Sequence, residues 1–166
     1  MMNRWMRGAG LVTLGVALGM VSIKSIEAYQ DKGIGLKVNH VGMSVKDLQA
    51  SVDYYTKTLG MRQGFIMGQR AGNPGTYYIQ VDKNTFLELS QATAERPVGL
   101  NHVGFETANM KETAAELTKR GIMVPEVTSV GSGAPHTSIN DPNGIRLEML
   151  EFADGSMQKK AIEAYK

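Results

Sequence analysis

The sequence of 166 residues contains no cysteine. Disulfide bonds, thiol nucleophiles and thiolate metal ligands are therefore excluded, and any metal ion must be bound by nitrogen and oxygen donors. An excess of one charge is also missing, because eighteen Lys and Arg residues stand against sixteen Asp and Glu residues. A near-neutral chain without a basic cluster excludes the usual signature of a nucleic-acid partner. The length fits one globular domain or two very small ones.

An apolar run of the ~20 residues that a membrane-spanning helix needs is absent as well. Arg4 and Arg7 precede an uncharged stretch over residues 8–23, and small residues follow at Ser25 and Ala28. This pattern is typical of a secretory signal peptide, which we assign to residues 1–28, with a short extension over residues 29–35. An uncleaved membrane anchor and a buried core helix are the alternatives. A cleaved leader predicts a periplasmic or extracellular protein that has no membrane contact.

The rest of the chain contains an internal repeat of one structural unit. Asn39-His40-Val41-Gly42 recurs as Asn101-His102-Val103-Gly104, 62 residues later. Amphipathic segments over residues 45–58 and 110–119 follow the two motifs, and strand-like runs close each half at residues 86–89 and 146–149. Each half is therefore predicted to form a strand, a helix and then short strands. We place module one at residues 36–95 and module two at 98–152, followed by a polar tail or short helix over residues 153–166.

Strand alternation sends four potential metal ligands to one side of the sheet. Side chains two residues apart share a face, so His40 points away from the apolar residues beside it, and His102 does the same. Glu88 and Glu148 occupy matching places in the last strand of each half. A single strand histidine is more often an ordinary surface or core residue, but four donors at matching positions in two repeats indicate a metal site.

Two imidazoles and two carboxylates make a donor set for one divalent metal ion per site. Carboxylates in an apolar setting are costly unless they are paired or bind a cation. Nitrogen and oxygen donors suit Zn, Ni, Co, Fe or Mn. A five- or six-coordinate ion would keep open positions for water or substrate, as a reactive site requires.

Candidate substrate-binding residues lie in glycine-rich loops and beside them. Loops at the mouth of a rigid sheet usually determine ligand selection. We single out Arg70 and Asn73 in the loop over residues 68–75, Tyr78 in the strand that follows, and His136 before the last hairpin. His136 has no counterpart in the first repeat, and it is a candidate for substrate contact or acid/base chemistry. Each of them also has an ordinary structural interpretation as a turn or strand residue.

These motifs resemble the vicinal oxygen chelate superfamily, which contains glyoxalase I, bleomycin-resistance proteins and extradiol dioxygenases. The resemblance covers residues 36–152 and rests on the segments HVGMSVKDL (40–48), SVDYY (51–55), LGM (59–61), FLEL (86–89), NHVG (101–104) and DPNGIRLE (141–148). It implies an α+β fold of two βαβββ modules, whose curved mixed sheet forms a cup around a divalent metal with the helices outside. It also implies a small-molecule substrate and makes a homodimer an open option.

The order His40, Glu88, His102, Glu148 is similar to that of lactoylglutathione lyase, the glyoxalase I enzyme. The resemblance implies a metal-dependent lyase or isomerase acting through an enediolate, in which Glu148 and its mirror partner Glu88 are catalytic and transfer the proton. Ser44 and Ala92 stand where that enzyme has an arginine and an asparagine, so the substrate is expected to be a small oxygenated compound of unassigned identity. An extradiol-type dioxygenase and a non-catalytic small-molecule-binding protein are the alternative functions.

Overall fold

The computed structural model describes residues 33–129 and 131–166. The predicted signal peptide and most of the predicted extension lie outside these residues. Within the described ranges, no helix has the length and apolar character needed to cross a membrane.

Eight strands form one curled, mixed sheet in the order β2-β3-β4-β1-β5-β8-β7-β6. The central strands β1 and β5 run antiparallel to each other, and each is flanked by a parallel partner, β4 and β8 respectively. The predicted α+β fold of two repeated modules is therefore confirmed. The strands are β1 Lys37–Val45, β2 Arg62–Met67, β3 Thr76–Gln80, β4 Phe86–Gln91, β5 Gly99–Thr107, β6 Thr128–Ser129, β7 Pro135–Asn140 and β8 Arg146–Glu151.

The helix of module one begins where β1 ends. Helix α1 spans Leu48–Asp53 and continues as a π-helical turn over Tyr54–Thr58. The Asp47 carboxylate accepts a hydrogen bond from the Ala50 amide at 2.9 Å, which satisfies a free donor of the first turn. Leu48 and Val52 of the helix pack against Ile79 of β3 and Leu89 of β4. These strand residues lie on one face of the sheet, called here the outer face. The helix starts later than the periodicity predicts, because Val45 still belongs to β1.

Helix α2 of module two has the predicted bounds, Met110–Lys119. Asn109 caps it by accepting a hydrogen bond from the Glu112 amide, and Met110, Thr113 and Leu117 are the buried residues of its inward side. In both repeats, therefore, the residue just before the helix caps it with a side-chain oxygen.

The opposite face of the sheet, called here the inner face, carries a second apolar cluster. Tyr78 and Phe86 are buried there against Ala161 of a third helix, α3, which spans Met157–Glu163. The Gln80 amide donates to the Ala161 carbonyl at 3.2 Å, and the Arg62 guanidinium donates to the Ala164 carbonyl at 2.8 Å. The end of the chain therefore covers part of the inner face of module one.

Candidate metal centre

Strand register brings the two histidines and the two glutamates to one point of the inner face. In β1, Gly42 lies beside Glu88 of β4 on one side and beside His102 of β5 on the other. In β5, Gly104 lies beside Glu148 of β8 and beside His40 of β1. Each imidazole therefore lies across from a glycine of the other module, and the four functional side chains surround the centre of the sheet.

The two glycines provide the space in which the imidazoles lie. A Cβ atom at Gly42 would stand 2.1 Å from Cε1 of His102, and a Cβ atom at Gly104 would stand 1.9 Å from Cε1 of His40. Both distances are far shorter than non-bonded carbon atoms can approach, so any larger residue would displace a ring. The repeated His-Val-Gly motif thus encodes both the ligand and the space for its counterpart.

The four side chains fit a single divalent ion. Nε2 of His102 lies 2.9 Å from Nε2 of His40 and 3.0 Å from Oε2 of Glu148, and Oε2 of Glu88 lies 3.6 Å from both imidazole Nε2 atoms. One donor atom from each of the four lies within 4.8 Å of all the others. An ion about 2.1 Å from each donor requires neighbouring donors about 3.0–3.4 Å apart. Small side-chain adjustments therefore suffice for an ion to bind, and all four candidate donors lie in one chain.

The electrostatics of the cluster favour ionised carboxylates and a protonated imidazole. Burial lowers the pKa of His102, but hydrogen bonds with Glu148 and Glu88 and the charges of these carboxylates raise it more, to about 9. For Glu148 and Glu88, burial raises the pKa, yet the two histidines lower it below the usual glutamate value, strongly so for Glu148. In the absence of a metal ion, a proton on the imidazoles thus compensates part of the negative charge.

The two histidines differ in whether the asparagine before them accepts a hydrogen bond from Nδ1. Nδ1 of His40 donates to Oδ1 of Asn39, which leaves Nε2 of His40 as the metal-facing atom. Asn101 holds the same place in module two, but its Nδ2 donates to Oγ of Ser44 at 2.8 Å. Among the described residues, Nδ1 of His102 has no hydrogen-bond partner. The internal symmetry of the ligands therefore does not extend to the residues that orient them.

Tyr78, predicted to contact substrate, lies on the inner face beside Glu88. Its hydroxyl donates to Oε2 of Glu88 at 2.6 Å, and its ring stacks on Phe65 with centroids 4.3 Å apart. Burial and the Glu88 charge raise the pKa of the Tyr78 hydroxyl well above its usual value, so the hydroxyl remains a donor at neutral pH. Tyr78 thus orients the carboxylate of Glu88, a residue of the candidate metal centre.

His136 and Arg146 approach the other carboxylate, Glu148. Nη2 of Arg146 lies 3.4 Å from Oε1 of Glu148, and Nε2 of His136 lies 3.8 Å from the same oxygen. Nδ1 of His136 donates to the Thr128 carbonyl at 3.1 Å. Oε1 of Glu148 thus faces these two side chains, while Oε2 faces the imidazoles of the metal cluster.

The loop residues Arg70 and Asn73 lie apart from the four ligands. The backbone groups of the two residues hydrogen-bond to each other, and the Asn73 side chain accepts from the Gly75 amide. Asn73 lines a cavity of about 470 Å³ with Gly131, Thr93 and Arg96, whereas the exposed Arg70 does not line it. Of the predicted substrate residues, the structure brings Tyr78 and His136 to the metal centre, and Asn73 to this neighbouring cavity.

Two arginines at the site were not among the site residues predicted from the sequence. A cavity of about 230 Å³ opens on the ligands Glu88 and His102, and its remaining lining residues are Arg96, Asn101 and Arg146. From the sequence, Arg96 belongs to the linker between the modules. It reaches the site only because of the turn from Thr93 to Arg96, which the sequence pattern does not predict. Arg146 was detectable, because it lies two residues before Glu148 on the same strand and so shares its face.

Comparison with known proteins agrees with this fold. Residues 37–149 match the model of the Glyoxalase/Bleomycin resistance protein/Dioxygenase superfamily, and the chain belongs to this family. Two similar curated proteins are the lactoylglutathione lyases of Escherichia coli O157:H7 and Shigella flexneri. Each is 25% identical over 132 residues, which are 72% of this chain and 95% of the relative.

Solved structures of methylmalonyl-CoA epimerases share the fold. A Streptomyces coelicolor enzyme in complex with 2-nitronate-propionyl-CoA superposes with a TM-score of 0.59 at 21% identity, covering 73% of this chain and 99% of that one. The Mycobacterium tuberculosis enzyme has a TM-score of 0.58 at 17% identity, covering 70% of this chain and 87% of that one. At these identities the likeness concerns the fold alone.

Proposed function

We propose that this protein is a divalent-metal-dependent lyase or isomerase that acts on a small oxygenated substrate through an enediolate. The observation that carries the proposal is the cluster of His40, Glu88, His102 and Glu148, whose donor atoms face one point beside an open cavity. Lyase and epimerase are the activities named for the similar proteins. All four side chains carry nitrogen or oxygen donors of the kind that divalent metal ions bind.

The chemistry follows from the weak acidity of a C–H bond next to a carbonyl. A bound divalent cation would act as a Lewis acid and stabilise the negative charge that develops on the substrate oxygen. A base must then remove the proton, and Glu148 and Glu88 are the carboxylates beside the ion. In the metal-free protein the two histidines lower the pKa of both, and in the loaded protein the charge of the ion would favour the carboxylate form in their place. One carboxylate removes the proton and the other, or the same one, returns it to the adjacent carbon or the opposite face.

The environments of the two carboxylates suggest separate roles. Glu88 lines the 230 Å³ cavity and so reaches a bound substrate directly, while its Oε2 is oriented by Tyr78. Glu148 is more buried and lies closer to the imidazoles, with Oε1 held by Arg146. A base that is positioned by neighbours loses little freedom in the reaction, which favours proton transfer.

The test is exchange of carbon-bound hydrogen with solvent. We expect purified protein to contain about one divalent ion per chain and to catalyse deuterium exchange into an α-hydroxycarbonyl such as dihydroxyacetone, measured by NMR in heavy water. His40→Ala and Glu148→Gln should abolish both metal retention and exchange. Glu126→Gln, which removes an exposed carboxylate, is the matched control.

Two results would contradict the proposal. Full activity of chelator-stripped protein would remove the need for a metal. Oxygen consumption with catechols that persists in Glu88→Gln would instead assign a ring-cleaving dioxygenase, in which Glu88 only lies near the metal.

A further inference from the structure

We propose that the substrate carries a carboxylate or phosphate group, and that Arg96 and Arg146 bind this group at the mouth of the metal centre. The inference rests on the proposed function and narrows its substrate class to small anionic hydroxycarbonyl compounds. Both arginines line the 230 Å³ cavity that opens on Glu88 and His102.

Arg146 is held toward the cavity by its neighbours on the inner face. Its backbone pairs with His102 of β5 and Asn140 of β7, so its side chain lies on the ligand face. Nε donates to Oγ of Ser138 at 3.2 Å, and Nη2 donates to Glu148. A guanidinium has five N–H donors, so further donors remain for a ligand. The side chain is 46% exposed, which makes these donors accessible from the cavity.

Arg96 approaches from the connection between the modules. A tight turn fixes its backbone, because the Thr93 amide donates to the Arg96 carbonyl at 2.9 Å and the Arg96 amide donates to Oγ1 of Thr93 at 3.1 Å. Within residues 33–129 and 131–166, the structure records no hydrogen bond or ion pair of the Arg96 guanidinium. Arg96 lines the larger cavity as well as the smaller one. Its charge interacts with the neighbouring exposed carboxylate of Glu95, and its guanidinium donors remain available to a ligand.

The charges of the site are complementary to an anion. Among the residues lining the smaller cavity, Glu88 is the one carboxylate, against two arginines. A divalent ion would balance the charges of Glu88 and Glu148, so the loaded site would keep the two positive charges of the arginines. Guanidinium groups bind carboxylate and phosphate oxygens in a planar, paired geometry, which a neutral substrate cannot use.

The size of the cavity matches a small reacting group. Each water molecule in the liquid takes about 30 Å³, so 230 Å³ corresponds to roughly eight water-sized groups. A hydroxycarbonyl compound of about that many heavy atoms fills it with the metal-facing oxygens at one end and the acid group at the other. Any longer portion would extend past Arg96 into the larger cavity.

The test compares charged and neutral probes by calorimetry on metal-replete protein. The probes are 5-hydroxy-4-oxopentanoate and its methyl ester, with dihydroxyacetone phosphate and dihydroxyacetone to distinguish phosphate from carboxylate. We expect a charged probe to bind at least about tenfold more tightly than its neutral partner. Arg96→Gln should remove most of this preference and leave neutral-probe binding within about twofold. Arg146→Gln should also reduce the preference.

The matched control is Arg120→Gln, which removes one guanidinium at the end of α2 and should leave the preference intact. Equal binding of charged and neutral probes, or equal loss of both in Arg96→Gln, would overturn the anion site. Solvent exchange measured on the same samples separates the two proposals. Exchange of a neutral probe without any charge preference contradicts the anion site alone, whereas charge preference without exchange supports the anion site and contradicts the lyase or isomerase assignment.

Discussion

Two glycine residues decide whether the imidazoles can meet at the centre of the sheet. Gly42 and Gly104 lie directly under the rings of His102 and His40, each supplied by the other module. A strand interior normally disfavours glycine, and such a residue often marks a close approach. Here the close approach is that of an imidazole ring of the candidate metal centre to a strand, so the glycine is part of the site.

Gly104→Ala should therefore damage the metal centre more than the fold. The added Cβ would collide with the His40 ring, and relief requires the ring to move away from His102. We expect metal affinity to fall by at least tenfold and the free energy of unfolding to fall by about 1–3 kcal/mol, the usual cost of overpacking. Elemental analysis and urea denaturation measure the two effects.

The matched control is Gly131→Ala, where the nearest side-chain atom would lie 3.4 Å from the new Cβ. Unchanged metal affinity in Gly104→Ala would contradict the observed position of His40.

Tyr78 affects the site through a single hydrogen bond. Tyr78→Phe removes the donor to Glu88 but keeps the ring that stacks on Phe65. We expect metal affinity to fall by about tenfold, as is usual when a residue that orients a ligand is lost. Competition with a chromogenic chelator measures the affinity. Tyr77→Phe changes a tyrosine of the outer face and should have no effect, and an equal effect of both variants would contradict the assigned role.

Sequence patterns predicted the four residues of the candidate metal centre better than the residues around them. Alternation in a strand and the internal repeat together place His40, Glu88, His102 and Glu148 on one face, and the structure brings these four side chains together. The surroundings were less predictable. The partner of Tyr78 depends on the pairing of β3 with β4, and the approach of Arg96 depends on the turn from Thr93, neither of which a periodic pattern encodes.

At the scale of elements, the helix of module two was predicted more accurately than the helix of module one. Residues 110–119 were predicted with the observed bounds of α2, whereas α1 begins three residues later than its pattern because β1 extends to Val45. The burial of α3 was not foreseen, since seven residues with two lysines resemble a surface helix. Its buried side forms only through contact with distant aromatic residues.

A charge placed on the buried side of α3 should destabilise module one. Ala161 is 6% exposed and packs against Tyr78 and Phe86, so Ala161→Glu would bury a carboxylate without a partner. We expect a loss of about 3 kcal/mol or more in the free energy of unfolding, measured by urea denaturation. Lys160→Glu, on the exposed side of the same helix, should change it by less than about 0.5 kcal/mol. Similar losses in both variants would contradict the docking of α3.

For the whole molecule, stability should depend on pH, and metal binding should reduce or reverse this dependence. The pKa of His102 is 6.5 in an unfolded chain and about 9 in the folded protein without metal. Its contribution to stability is therefore complete below about pH 6.5 and is lost as the pH rises through 9. A metal ion needs the deprotonated imidazole, so metal stabilises the fold more as the pH rises.

The expected result is a lower melting temperature at pH 9 than at pH 6.5 for chelator-treated protein, and a smaller or reversed difference for metal-loaded protein. Calorimetric melting curves measure both. His102→Asn removes the titrating group and should flatten the difference in chelator. An unchanged pH dependence in this variant would show that other groups are responsible.

The central claim is that two imidazole nitrogens and carboxylate oxygens from one chain bind a single divalent ion. X-ray absorption spectroscopy at the metal edge of the loaded protein tests it most directly. We predict one ion per chain with two histidine ligands in its first coordination shell, and one fewer in His102→Asn. A first shell without histidine, or a spectrum that His102→Asn leaves unchanged, would contradict the account.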